Sequence, residues 1–379
     1  MSESIRPFKL EIPDSELEFL KQRLLTRRMP EKETVADWTQ GIPANYVQEL
    51  GEYWCNTYDW RAREAKINRL PQYLTEIEGL DIHFLHIESK VKSARPLVLT
   101  HGWPGSIVEF LSVIEPLTDP SSHGGSEKDA FHLVIPSLPG FGFSGKPSET
   151  GWGVGKIAAA WVVLMQRLGY DKFLAQGGDW GAGITTELAA DHSDHCVGMH
   201  TNMAAVGPDR DTLDDPLPIE QESMRSSQFY QEWDSGYSKQ QSTRPQTLGY
   251  GLVDSPIGQA AWIIEKFYQW TDCNGHPENA ISRDRLLDNV MFYWLTGCGA
   301  SSGRIYWESF GRGGSRNPVE VPSGISVFPK EIFKVSERWA KRRYKDLRYY
   351  NILDKGGHFA AFEQPELFVS ELRACFSKM

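Results

Sequence analysis

The chain has 379 residues, enough at roughly 100–200 residues per domain for two or three units or one large decorated domain. Its 40% hydrophobic, 12% aromatic and 24% charged residues exclude a disordered or fibrous polymer. Forty Lys and Arg against 50 Asp and Glu leave a net charge of −10, which argues against a surface that holds nucleic acid by neutralising phosphates.

The N-terminal residues Met1 to Lys9 lack the apolar core of a signal peptide, and no apolar stretch reaches the roughly 18–20 residues that span a bilayer. A soluble chain with no membrane partner is expected. Cys55, Cys196, Cys273, Cys298 and Cys375 are odd in number, scattered and without Cys-x-x-Cys spacing, which predicts reduced thiols and a cytoplasmic location.

Ser15-Glu-Leu-Glu18 has capping-box form ahead of Phe19, Leu20, Leu24 and Leu25, predicting a helix that stops before Pro30. The Trp-dotted polar stretch that follows is too thin in apolar residues for its own core, so residues 1–72 read as an N-terminal helical arm packing on the rest. Alternation around Gly79 predicts a hairpin. Leu97-Val-Leu-Thr100 then begins a series of short apolar strands (132–135, 172–176 and 197–201) alternating with helices near 157–168 and 180–190. That alternation indicates a mostly parallel sheet with helices on both faces, first part 73–203. Across 204–307 it gives way to helices, one opened by Ser255-Pro256 and another by Ser282 that ends at Gly297, which reads as a helical lid insertion. Strands resume at Gly324 and Leu347, so 308–379 completes the core. Arg338, Lys341, Arg342 and Lys345 recur at helical spacing and read as a solvated helix face.

Gly177-Gly178-Asp179-Trp180-Gly181 lies between an apolar strand and a helix, the place of the Gly-x-Ser-x-Gly nucleophile elbow of α/β-hydrolases, here with a carboxylate at the tip. Taken alone, Asp179 equally suits a helix N-cap. Gly356-Gly357-His358 falls between the last strand and last helix, giving the chain order nucleophile, acid, base. Glu331, just beyond the strand 325–328, is the first choice for the acid, with Asp354 and Glu308 as competitors. His101-Gly-Trp-Pro-Gly-Ser106 turns off the first parallel strand, where the backbone N–H of Trp103 can join that of Trp180 in an oxyanion hole. Gly140-Phe-Gly-Phe-Ser-Gly145 fits a dinucleotide pattern but runs into Lys146-Pro147 instead of an apolar helix, and His192 and His195 sit in a polar turn. Neither a cofactor nor a metal is expected.

With these motifs the sequence resembles the microsomal-type branch of the epoxide hydrolases, including its soluble fungal and bacterial members. The resemblance runs over nearly the whole chain: Trp60 in the arm, the 101–106 and 177–181 motifs, Asp254-Ser-Pro-Ile-Gly258 with Glu265-Lys-Phe267, and Gly356-Gly-His-Phe-Ala-Ala-Phe-Glu363. It implies the α/β-hydrolase fold, Asp179 as nucleophile, His358 as base and Glu331 as its acid partner. It also implies lid tyrosines Tyr237 and Tyr306, with Tyr230 a close neighbour of the former. The substrate implied is a small-molecule epoxide that reacts with water to a vicinal diol through an ester on Asp179. Oligomeric state is left open, a homodimer included. A carboxylate nucleophile suits displacement at saturated carbon, and water activated by His358 then splits the ester. A haloalkane dehalogenase shares the nucleophile and fold but must cradle a halide, and a non-catalytic hydrolase-fold receptor is disfavoured by the presence of nucleophile, base and acid together.

Overall fold

Leu97, Val98 and Leu99, like Leu133, Val134 and Ile135, are fully enclosed, because a strand covered on both faces has no side to give to water. They belong to a nine-stranded sheet in the computed structural model, which describes residues 4–310 and 314–379. Residues 1–3 of the arm and 311–313 of the returning core lie outside the described residues. The strands are β1 (Arg6–Phe8), β2 (Gln72–Ile77), β3 (Leu80–Ile87), β4 (Arg95–Thr100), β5 (Phe131–Pro136), β6 (Phe173–Gly177), β7 (Cys196–Thr201), β8 (Ser323–Val327) and β9 (Leu347–Ile352). Their order is β1-β2-β3-β5-β4-β6-β7-β8-β9. Pairings from β1 to β5 on that side are antiparallel, and every pairing from β5 through β4 to β9 is parallel. Because β5 and β6 lie on opposite sides of β4, the loops leaving β4 and β6 open a crevice between them, the place where open α/β sheets bind ligands.

The β2–β3 hairpin turns through Glu78 (φ 49°) and Gly79 (φ 78°), the two left-handed residues of a tight hairpin turn. Between β7 and β8 the chain runs through helices including Pro218–Phe229, Gly236–Thr243, Pro245–Asp254, Pro256–Trp270, Arg283–Trp294 and Gly299–Ser309. Ser255 caps the fourth of these, its hydroxyl accepting from the Gly258 N–H at 3.0 Å. The N-terminal helices Ala44–Asn56 and Trp60–Ile67 are tied to the same insertion. The Tyr53 and Tyr58 hydroxyls donate to Asp284 and Asp288 at 2.7 Å, and Tyr46 donates to Glu278 at 3.1 Å. The arm thereby fixes helix Arg283–Trp294, which matters to the site below. Among the described residues no helix is long and apolar enough to cross a membrane.

Three local readings change. The stretch 1–72 is not wholly helical, since Arg6–Phe8 pairs with β2 and adds a strand to the edge of the sheet. The first helix is Asp14–Leu25, so Ser15 falls inside its first turn and caps nothing; extended Pro13 at its head sets the start instead. The basic run is not a helix face. Only Glu337–Ala340 is helical before turns lead into β9, and Arg338 is not given over to solvent: its Nε donates to the enclosed Glu220 at 2.6 Å, pinning this turn to helix Pro218–Phe229.

Candidate active site

β6 ends at Gly177 and helix Asp179–Asp191 begins two residues later, leaving Asp179 in the left-handed region at φ 49°. A non-glycine residue there is strained, and the strain persists because packing around the turn leaves no alternative. A Cβ on Gly181 would stand 1.9 Å from the Thr100 carbonyl oxygen, and one on Gly102 would stand 2.1 Å from Asp179 Oδ1. The turn therefore presses helix, strand and carboxylate together as only glycines permit. The Trp103 N–H donates to Asp179 Oδ1 at 2.7 Å. The Trp180 N–H lies in the first turn of its helix, where amides have no intrahelical acceptor.

His358 stands opposite. Its Nδ1 is 2.7 Å from Glu331 Oε1, and its Nε2 is 3.3 Å from Asp179 Oδ2, an ion-pair distance whose alignment falls short of a hydrogen bond. Glu331 is enclosed, its Oε1 also accepting from the Ile332 N–H at 2.6 Å. Burial alone would lower the imidazole pKa, but the Glu331 and Asp179 carboxylates outweigh it and raise it well above the usual histidine value. Asp354 is exposed, and Glu308 Oε2 accepts from the Gly151 N–H at 3.0 Å. The competitors for the acid are thus not on His358.

The loop after β4 is held from the insertion. Asn289 Nδ2 donates to the Pro104 carbonyl and the Tyr293 hydroxyl to that of Gly105, both at 2.7 Å, while Ser106 Oγ donates to Asn289 Oδ1 at 2.7 Å. Tyr237, from helix Gly236–Thr243, stacks on the Trp103 indole at 4.9 Å and 9°. Tyr306, from helix Gly299–Ser309, meets Trp180 edge-on at 4.8 Å. Both tyrosines border, with Asp179, Trp180 and Tyr230, a cavity of about 370 Å³ whose walls include Met203, Ile332 and Phe333. The Tyr306 hydroxyl is enclosed and has no hydrogen-bond partner among the described residues, whereas the hydroxyl of Tyr237 is 3.0 Å from that of Tyr230. Burial first, and the Asp179 charge in addition, push both phenols well above their ordinary value, so both are neutral donors.

Residues passed over in the sequence complete the other side. Glu109, Gln176 and Asn202 join His358 and Asp179 around a second space of about 20 Å³, room for one water, and His358 Nε2 and Gln176 Oε1 have no hydrogen-bond partner among the described residues. The signal for Glu109 was slight, a lone acid in the apolar run 107–111. Burial pushes its carboxyl up to about 8 against the pull of His358 and the Ser106 amide, with Asp179 adding to the rise. Between its ordinary 4.5 and about 8 the folded chain holds a proton there that the unfolded chain does not, so this group's contribution to stability declines as pH rises through that window. Glu109→Gln, unable to ionise, is expected to lose less stability than the parent between about pH 5 and about pH 8 in chemical denaturation. Parallel profiles would contradict a neutral buried carboxyl. No group of His, Cys, Asp and Glu suited to a metal occurs among the described residues; His195 instead bonds the Asp171 carbonyl at 2.9 Å in its turn.

Residues 5–110 match a family described as "Epoxide hydrolase N terminus", and residues 95–250 one described as "alpha/beta hydrolase fold". The chain is 54% identical over 375 residues to a Stigmatella aurantiaca protein named "Putative epoxide hydrolase", covering 99% of this chain and 85% of the relative. It is 40% identical over 400 residues to Epoxide hydrolase 1 of Sus scrofa, covering 98% and 88%. The solved structure of Aspergillus niger epoxide hydrolase superposes with a TM-score of 0.89 at 33% identity, covering 99% of this chain and 96% of that one.

Proposed function

The chain belongs to the epoxide hydrolase family of the α/β-hydrolase superfamily, and from that premise we propose that it adds water to a small epoxide through a covalent ester on Asp179. The observation that carries this reading is the enclosed Tyr306 phenol, which borders the same cavity as Asp179.

Opening an epoxide develops an alkoxide, a strong base that departs badly unless a proton meets it. Neutral phenols are suited to supply that proton, and a carboxylate ionised at neutral pH needs no base to attack. Oδ1, fixed by the Trp103 amide, becomes the ester carbonyl oxygen and Oδ2 the attacking atom. As Oδ2 bonds to carbon the Asp179 charge disappears, and with it part of what held the two phenols neutral. The acid therefore strengthens as the alkoxide forms. Loss of the same charge lowers the imidazole, leaving the Glu331 carboxylate on Nδ1 to favour its protonated form. Proton count closes at this point, since the phenolate takes the proton the imidazole releases.

The ester is then attacked at Cγ by a water seated in the small space beside Glu109 and Gln176, within reach of His358 Nε2. Nε2 takes the water proton, and the N–H groups of Trp103 and Trp180 hold the oxyanion. Collapse breaks the Cγ–Oδ2 bond, the departing alkoxide takes the remaining proton of the added water to become the diol, and Asp179 is again a carboxylate beside a protonated His358. The five cysteines are unpaired and four of them buried, which favours a reducing compartment such as the cytoplasm.

Incubation with a panel of aryl and alkyl epoxides and haloalkanes tests the activity. Vicinal diols are expected from epoxides and no halide from haloalkanes. Halide release without diol would make the chain a dehalogenase, and binding without turnover a receptor.

A further inference from the structure

One buried cation stands beside the site without a part in this scheme. Lys266, on helix Pro256–Trp270, is 6% exposed, and its Nζ lies 2.6 Å from Asp234 Oδ1 and 2.8 Å from Glu265 Oε2. A buried ion pair adds little stability over apolar packing of the same volume, so its presence calls for another use. Its neighbours suggest one. The ammonium is 4.9 Å from the centre of the Tyr237 ring and 5.5 Å from that of Trp270, within the roughly 6 Å over which a cation is drawn to an aromatic face. Tyr237 in turn stacks on Trp103, whose N–H holds Asp179. The second oxygen of Asp234 accepts from Trp270 Nε1 at 2.6 Å, and the Trp270 carbonyl accepts from the His358 N–H at 2.9 Å.

We propose that Lys266 is a positioning residue for Tyr237: anchored by Asp234 and Glu265, its ammonium braces the phenol ring against Trp103 and so aims the hydroxyl at the epoxide oxygen. The proposal rests on the reading of Tyr237 as a ring-opening acid. Donation of the phenol proton makes the ring more negative, so the attraction of the ammonium for it grows along the reaction. An interaction of that kind is worth more in the transition state than before it. It acts on formation of the ester and leaves its hydrolysis alone.

Lys266→Met combined with Asp234→Asn removes the two buried charges together, leaves Glu265, 24% exposed, to water, and keeps an Asn amide oxygen that can still accept from Trp270 Nε1. Ester formation, followed by pre-steady-state Trp fluorescence, is expected to slow about tenfold, with the rate of ester hydrolysis unchanged. The same pair added to Tyr237→Phe is expected to cost nothing further, because residues that act through one group do not add. Parent-rate ester formation in the folded double variant overturns the proposal, as does equal slowing in the Tyr237→Phe background. Tyr237→Phe alone separates the two claims: if it slows ester formation while the charge pair does not, only the positioning role fails. If it leaves ester formation at the parent rate, the acid assignment beneath it fails as well. Should the double variant unfold, Asp234→Asn alone decides, since it leaves the ammonium only on Glu265. A smaller slowing of ester formation supports the brace, and none overturns it.

Discussion

His358→Gln is expected to turn the catalyst into a trap for one equivalent of substrate. Asp179 needs no base to attack, so ester formation survives, while water beside the ester has lost the nitrogen that would take its proton. Removal of a general base costs about 10²–10⁴ in the step it serves, and steady-state turnover is expected to fall by that factor. Intact-mass spectrometry after mixing with an epoxide is expected to show the chain heavier by one substrate, with the addition on the peptide that carries Asp179. The enclosed ring of His358 packs edge-on against Trp270 at 5.1 Å and Phe359 at 5.0 Å, and Gln leaves that pocket partly filled, so a thermal melt checks the fold. An unmodified chain turning over at the parent rate would remove His358 from the mechanism.

Tyr237→Phe and Tyr306→Phe together are expected to strike the opposite step. The rings remain, so the stack on Trp103 and the edge contact with Trp180 are kept and folding is preserved. Only the two hydroxyls go, at the expense of one 3.0 Å bond to Tyr230. With no proton for the alkoxide, ester formation is expected to slow by about 10²–10⁴, read from the Trp fluorescence change on rapid mixing. Tyr306→Phe alone is expected to slow it less, since Tyr237 still donates. A double variant that forms the ester at the parent rate contradicts the assignment of both phenols, and Tyr230, bordering the same cavity, becomes the first residue to examine.

How much of this was legible depended on how local each signal was. The turn Gly177-Gly178-Asp179-Trp180-Gly181 states its own geometry, because glycines flanking a carboxylate between an apolar strand and a helix allow few backbone paths. His358, behind Gly356-Gly357, and Glu331, just past an apolar strand, could be placed at strand ends from equally local pattern. Their approach to 2.7 Å, however, follows from β8 and β9 lying side by side, which pattern alone does not dictate. Glu109 was lost in an apolar run, since its meaning comes from Asp179 and His358, 70 and more residues away and brought to it by the sheet order. The hydroxyls of Tyr53 and Tyr58 that fasten the arm reach partners about 230 residues distant. The basic run misled in the other direction. Helical spacing was present, but Leu347 had to enter β9, and a strand partner outweighs a few tenths of a kcal/mol of helix-face pairing.

The covalent ester on Asp179 is the centre of the account, and a single turnover in isotopically heavy water measures it most directly. With enzyme in excess over epoxide, the diol of the first turnover is expected to carry no heavy oxygen, because its new oxygen comes from Asp179, and the peptide containing Asp179 is expected to gain it instead. A first-turnover diol that carries solvent oxygen, with the Asp179 peptide unchanged, would mean that water attacks the epoxide directly and that no ester forms.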